Sequence, residues 1–257
     1  GIAEANAIGI ATGLGLSGFR PVISCFGAFI SGKNIEIRTS ISYNNSPVLI
    51  IGTHGGLIGP DGATQSGLQD ISVMRSIPNF QIFQPSSPNQ TRAIIDYSCE
   101  VDDLIYVRVA RNTVPEIYRD DYIFKPKNAH VVKEGNEIVI FSSGPVVHEC
   151  ISAANILSNN FNIKVCDIPS LKPINEEFVI EHLQNCNMAF TVEDHDIQGG
   201  LGSLISEVIT DHGLNNKLYR HGLKDQFIES GKPKELERLF NLDPEGIVKI
   251  IKRELNK

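Results

Sequence analysis

The chain of 257 residues has a formal net charge of -7, with 41% hydrophobic and 21% charged residues. At roughly 100–200 residues per domain this length implies one large or two medium domains with cores of their own, and excludes a mini-protein held by metals or disulfides. The acidic balance excludes a global positive field, so neither nucleic acid nor an anionic membrane is expected as a partner and any phosphate binding must be local. Five cysteines, odd in number and never spaced C-x-x-C, point away from a disulfide framework or zinc knuckle and toward a reducing cytoplasm. There is no apolar run of about 18 residues, and no basic-then-apolar leader.

Small and apolar residues over 5–16 recur at helical spacing, with Gly18 placed to stop the helix. Segments 21–26 and 47–52 read as β-branched strands around 30–43, where Ile30, Asn34, Ile37 and Ile41 fit one helix face. A Gly-rich stretch, 53–67, precedes a helix near 68–75, a strand at 81–84, a helix after Pro88 and a strand at 104–109. Polar, proline-containing sequence over 118–135 then interrupts the periodicity for longer than an ordinary connection. The second half reads as strand 137–142, helix 147–158, strand 164–168, helix 176–184, strand 188–193 and helix 202–212. This alternation predicts an α/β fold with two parallel-sheet domains, 1–120 and 136–257, joined by a linker at 121–135.

Gly13-x-Gly15-x-x-Gly18 spells the dinucleotide pattern, but at a helix end, whereas that chemistry needs glycines between a strand and a helix N-terminus. Glu4 precedes an apolar helix, where a carboxylate complements the helix dipole. The loop Thr53-His54-Gly55-Gly56-Leu57-Ile58-Gly59-Pro60-Asp61-Gly62-Ala63-Thr64-Gln65 follows a buried strand. Open parallel sheets carry ligand-binding residues there, and His, Asp, Thr and Gln can all hydrogen-bond a polyhydroxylated ligand. Phe26 and Phe29, where a strand becomes a helix, are either core or a stacking surface for a flat heterocycle. Arg108 and Arg111 follow a strand, as surface cations or as bidentate phosphate ligands. Glu193-Asp194-His195-x-x-x-Gly199-Gly200-Leu201-Gly202-Ser203 joins a strand to a helix, and its glycines suit an anion site or tight packing against a neighbour.

Taken in order, Gly1-Ile2-Ala3-Glu4, Ser24-Cys25-Phe26-x-x-Phe29, Thr53-His54 through Asp61-Gly62-Ala63-Thr64, and Val192-Glu193-Asp194-His195 through Gly199-Gly200-Leu201-Gly202 resemble the transketolase family in its C-terminal half. Segments 225–231 and 243–247 resemble that family's C-terminal signature, so the likeness covers nearly the whole chain. The resemblance implies a thiamine diphosphate pyrimidine-binding domain followed by a transketolase C-terminal α/β domain. The cofactor then supplies the carbanion chemistry and the protein supplies orientation and electrostatics. Matched residue by residue, Glu4 hydrogen-bonds the aminopyrimidine ring nitrogen so that the ring can take up the thiazolium proton. Phe26 stacks on that ring with Phe29 beside it. His54, also catalytic, contacts sugar hydroxyls together with Asp61, and Arg111 meets the sugar phosphate.

Two departures bear on function. The family's substrate loop usually ends in histidine, whereas here it reads Gly62-Ala63-Thr64-Gln65; glutamine hydrogen-bonds substrate but cannot titrate near neutrality. The family's diphosphate-binding domain and the strand ahead of its Gly-Ile-Ala-Glu word are not in this sequence, so the first domain is expected to lack its first strand. The Mg²⁺ ligands are accordingly expected on a partner chain, with none here. The implied protein is the C-terminal subunit of a split transketolase of carbohydrate metabolism, which transfers a two-carbon ketol group from a ketose phosphate to an aldose acceptor. It is expected to need an N-terminal subunit and to self-associate across a two-fold into a heterotetramer. Two alternatives stand beside it: a chain with altered sugar or 2-oxo acid specificity, motivated by Gln65, and a non-catalytic scaffolding half.

Overall fold

The computed structural model describes residues 1–184, 186 and 188–256. Its first sheet is built from β1 (Val22–Phe26), β2 (Leu49–Thr53), β3 (Phe80–Phe83) and β4 (Leu104–Arg108). Between and before these strands lie α1 (Glu4–Leu16), α2 (Gly27–Ser31), α3 (Asn34–Glu36) continued by a π-helical stretch (Ile37–Ser42), α4 (Asp70–Arg75) and α5 (Pro88–Glu100). The chain continues through β5 (His130–Lys133), β6 (Ile138–Ser142), α6 (Val146–Ile156), β7 (Ile163–Asp167), β8 (Ser170–Lys172) and α7 (Glu176–Gln184). It closes with β9 (Met188–Asp196), α8 (Leu201–Asp211), β10 (Lys217–Leu223), α9 (Pro233–Leu239) and α10 (Pro244–Leu255). No helix among the described residues is long and apolar enough to cross a membrane.

Local chemistry sets the ends of these elements. Gly18, at φ 89°, closes α1 with two bonds, Phe19 N–H to Leu14 O and Gly18 N–H to Gly15 O; a left-handed residue at that position satisfies carbonyls the helix leaves orphaned. Ser87 accepts from Gln90 N–H ahead of Pro88 to start α5, and Asp243 does the same from Gly246 N–H ahead of Pro244 to start α10. The single helix expected over 30–43 is instead broken after Ser31, and its second part widens into the π-helical stretch. That widening, marked by the Tyr43 N–H to Arg38 O bond, lets Ile37, Ile41 and Ser42 all turn inward.

The strand orders are β1-β2-β4-β3-β8 and β10-β9-β6-β7-β5. β1–β4 are mutually parallel, as are β6, β7, β9 and β10, while β8 runs antiparallel to β3 and β5 antiparallel to β7. Two α/β sheets therefore form as expected, but each carries an antiparallel edge strand. Neither edge strand respects the division read from the sequence: β5 lies inside the expected linker, and β8, from the second half, completes the first sheet. A continuous apolar cluster crosses the junction, packing Met74, Phe80 and Ile82 with Leu171, Leu201 and Ile205. In the second sheet the order of connection reverses between β6 and β9, and the crevice beyond such a reversal is where open α/β sheets bind ligands.

Candidate functional site

The carboxyl ends of β1, β2, β4, β6 and β9 converge on one region. Phe26 ends β1, and its ring lies parallel to Phe29, centroids 5.6 Å apart with 4° between planes. His54, just past β2, stacks on Phe26 with centroids 3.7 Å apart. Its ring Nδ1 is 3.0 Å from Thr53 Oγ1, and its backbone is left-handed at φ 58°. Burial and the Arg111 guanidinium lower the imidazole's pKa, with Asp61 opposing them. Asp61 and Arg111 form an ion pair with each other.

Glu4 is the first residue of α1, and it joins this group through Cys25, whose thiol donates to Glu4 Oε1 at 3.6 Å. Burial and the carboxylate both push the thiol's pKa up. Because Cys25 directly precedes Phe26, the carboxylate and the aromatic pair stand at the same end of β1. His54 covers one face of Phe26, while among the described residues no ring other than Phe26 lies against Phe29. Gln65 is half-buried in a tight turn, its N–H donating to Gly62 O at 3.2 Å.

Arg108 is neither a surface cation nor a phosphate ligand. Its guanidinium is fully buried, with Nε 3.1 Å from both Asp70 oxygens, Nη1 2.7 Å from Asp194 Oδ1, and Nη2 donating to Gly67 O and Asp194 O. Burial alone would lower its pKa, but Asp70 and Asp194 reverse this and hold it charged. Tyr106 donates to Asp70 Oδ2 at 2.6 Å. Sequence reasoning missed Asp70 and Tyr106 entirely; a charged residue opening a helix beside a Gly-rich loop is a signal too common to single out Asp70.

The Glu193–Gly202 loop takes the packing alternative. Glu193, buried, receives the N–H groups of Leu201 at 2.8 Å and Gly202 at 2.9 Å, so the protein's own carboxyl group fills the start of α8 where an anion would sit. Burial raises this carboxyl to about 8 against the pull of those two donors and of Arg108. His195 is buried too, with Nδ1 donating to Asp196 O at 2.6 Å and Nε2 4.0 Å from Asp70 Oδ1. Burial and Arg108 lower its pKa, against Asp70, Asp194 and the Asp196 carbonyl. Beyond these groups, a cavity of about 440 Å³ opens between the halves, lined among others by Leu57, Ile58, Arg111, His148, Lys234 and Glu237.

The model for the transketolase pyrimidine binding domain matches residues 1–116, and that for the transketolase C-terminal domain matches 127–247. The chain belongs to the transketolase family. This transketolase-family chain is 36% identical over 253 residues to a subunit of the apulose-4-phosphate transketolase of Actinobacillus succinogenes, covering 96% of the chain and 81% of that protein. It is also 36% identical over 262 residues to a putative transketolase C-terminal section of Methanocaldococcus jannaschii, covering 100% and 82%. Among solved structures it superposes with a TM-score of 0.91 and 34% identity on a split gene transketolase described as an inactive beta4 tetramer, covering 99% of this chain and 82% of that one.

Proposed function

We propose that this chain is the C-terminal subunit of a split, thiamine diphosphate-dependent transketolase, working with an N-terminal subunit to transfer a two-carbon ketol group from a ketose phosphate to an aldose acceptor. The observation that carries the reading is the meeting of Glu4, through Cys25, with the Phe26–Phe29 pair at the end of β1. A carboxylate acceptor and an aromatic surface at the same strand end are the groups that a flat, protonatable aminopyrimidine requires. When bound, the cofactor supplies carbanion stabilisation that protein side chains cannot provide. Glu4 would accept a hydrogen bond from the ring, and Phe26, with Phe29 beside it, would supply the stacking surface. His54, Asp61 and Arg111 line the approach, Arg111 being the group suited to a sugar phosphate. Mg²⁺ and the diphosphate fall to the partner subunit.

Self-association has its own support. Ile10, Leu14 and Leu16 on α1, together with Phe19 and Val22 beside it, are exposed apolar side chains, and such a patch on a folded protein marks an interface. The tetramer named for the structural relative fits the same expectation. The five free thiols favour the cytoplasm.

The test is reconstitution of the chain with its N-terminal subunit, thiamine diphosphate and Mg²⁺, assayed on a panel of ketose phosphate donors and aldose acceptors. Turnover that Glu4→Gln abolishes supports the proposal; turnover that Glu4→Gln leaves unchanged refutes it and favours a scaffolding half. A second reading, altered sugar specificity, is favoured by Gln65 and by the apulose 4-phosphate in the name of a relative. Full activity on ordinary pentose phosphates would refute that one.

A further inference from the structure

The turn that follows His54 rests partly on a residue supplied by the other half of the molecule. The left-handed backbone of His54 is disfavoured for a residue with a β-carbon, so its surroundings help to hold it. The two residues that follow show what does so. A Cβ on Gly55 would lie 2.6 Å from Arg108 Nε, and a Cβ on Gly56, at φ 83°, would overlap Asp194 Oδ2. The backbone there is pinned by Gly55 N–H to Val109 O and Gly56 N–H to Gly67 O, both at 3.1 Å. The chain leaving His54 is thus laid flat on the buried Arg108–Asp194 ion pair, and only glycine allows that approach. Asp194 comes from β9 of the second sheet and is held from two sides, by Arg108 Nη1 and by Gln84 Nε2 at 3.3 Å.

We propose that Asp194 is a positioning residue for His54: its carboxylate, clamped by Arg108, is the floor on which the Gly55–Gly56 turn rests, and it keeps the imidazole seated on Phe26. The inference rests on the reading of His54 as a substrate-site residue, and it makes the second domain a determinant of that site. If Asp194 only tied the two halves together, its loss would lower stability and leave the ring in place. Asp167 provides the contrast. It is buried at the same junction, accepting from Ser86, Gln90 and Tyr118, and touches nothing in the His54 turn.

The experiment is ¹H–¹³C NMR of the full chain. An imidazole stacked on a phenyl ring has its Hε1 resonance displaced upfield by the ring current, and His54→Ala assigns that peak. Asp194→Asn, Gly56→Ala and the control Asp167→Asn are compared at temperatures where each is folded. The expected result is loss of the upfield displacement in Asp194→Asn and Gly56→Ala, with the peak retained in Asp167→Asn despite its lower stability. Retention of the wild-type peak in folded Asp194→Asn, or an equal movement in Asp167→Asn, overturns the proposal. Should Asp194→Asn fail to fold, Asp194→Ala is read in its place, since an alanine at Gly56 is strained at φ 83° on its own account. The readout requires no activity, so a His54→Ala complex with wild-type turnover would refute the functional reading of His54 without bearing on its placement.

Discussion

Replacing Glu193 with glutamine turns a buried carboxyl into a measurable pH dependence. Burial raises this group from an ordinary 4.5 to about 8, so between those values the folded protein holds a proton that the unfolded chain has lost. Stability then falls as pH rises, by about 1.4 kcal/mol per pH unit, and the loss is complete once pH exceeds the folded-state value. Over a window about 3.5 pH units wide this amounts to at most about 5 kcal/mol. Glutamine is neutral throughout and keeps one acceptor for the N–H groups of Leu201 and Gly202, at an offset of about 1–3 kcal/mol for the donor left short. Urea unfolding of both proteins from pH 5 to pH 9 isolates the effect, because the other titrations cancel in the difference. The expected outcome is that Glu193→Gln gains on the wild type steadily as pH rises and levels off above about pH 8. A difference that stays flat, or runs the other way, would show that the two donors and Arg108 keep the carboxylate ionised, and the burial argument would be wrong.

Three further outcomes are expected. Gly135→Ala places a methyl against the backbone of Ile163 and Lys164, where nothing flexible can yield, and should cost about 1–3 kcal/mol in urea unfolding; an unchanged midpoint would contradict it. Asp243→Ala removes the acceptor for Gly246 N–H at the start of α10 and should cost about 1 kcal/mol, read from thermal unfolding. Iodoacetamide should alkylate Cys25 more slowly than the exposed Cys99, because burial and Glu4 suppress the Cys25 thiolate. Glu4→Gln should speed Cys25 modification selectively, as followed by mass spectrometry, and an unaltered rate would mean that the Cys25–Glu4 contact does not form in solution.

The candidate residues could be picked out in the sequence because they lie in compact words at the ends of strands. Glu4, Phe26, Phe29, His54, Asp61 and Arg111 were singled out together only by the family resemblance of those words, and the structure brings Phe26, Phe29 and His54 into one stack, with Asp61 and Arg111 paired with each other. What stayed hidden is pairing over distance. Arg108 meets Asp70 and Asp194, 38 and 86 residues away, and no local pattern announces that a cation will be buried against partners so remote. Nor could spacing reveal that His54 would settle on Phe26, since a loop's backbone conformation depends on what it packs upon.

The sequence by itself determined the α/β alternation, the stop of α1 at Gly18 and the family, since periodicity, capping residues and motif words act within a few residues of one another. The break in the helix over 30–43, the exchange of β8 into the first sheet and of β5 into the second, and the unread elements β10, α9 and α10 were decided by the tertiary structure. Three- and four-residue edge strands carry too little alternation to register. They form because an open sheet edge at the junction offers unpaired N–H and C=O groups to whatever segment the packed core brings alongside.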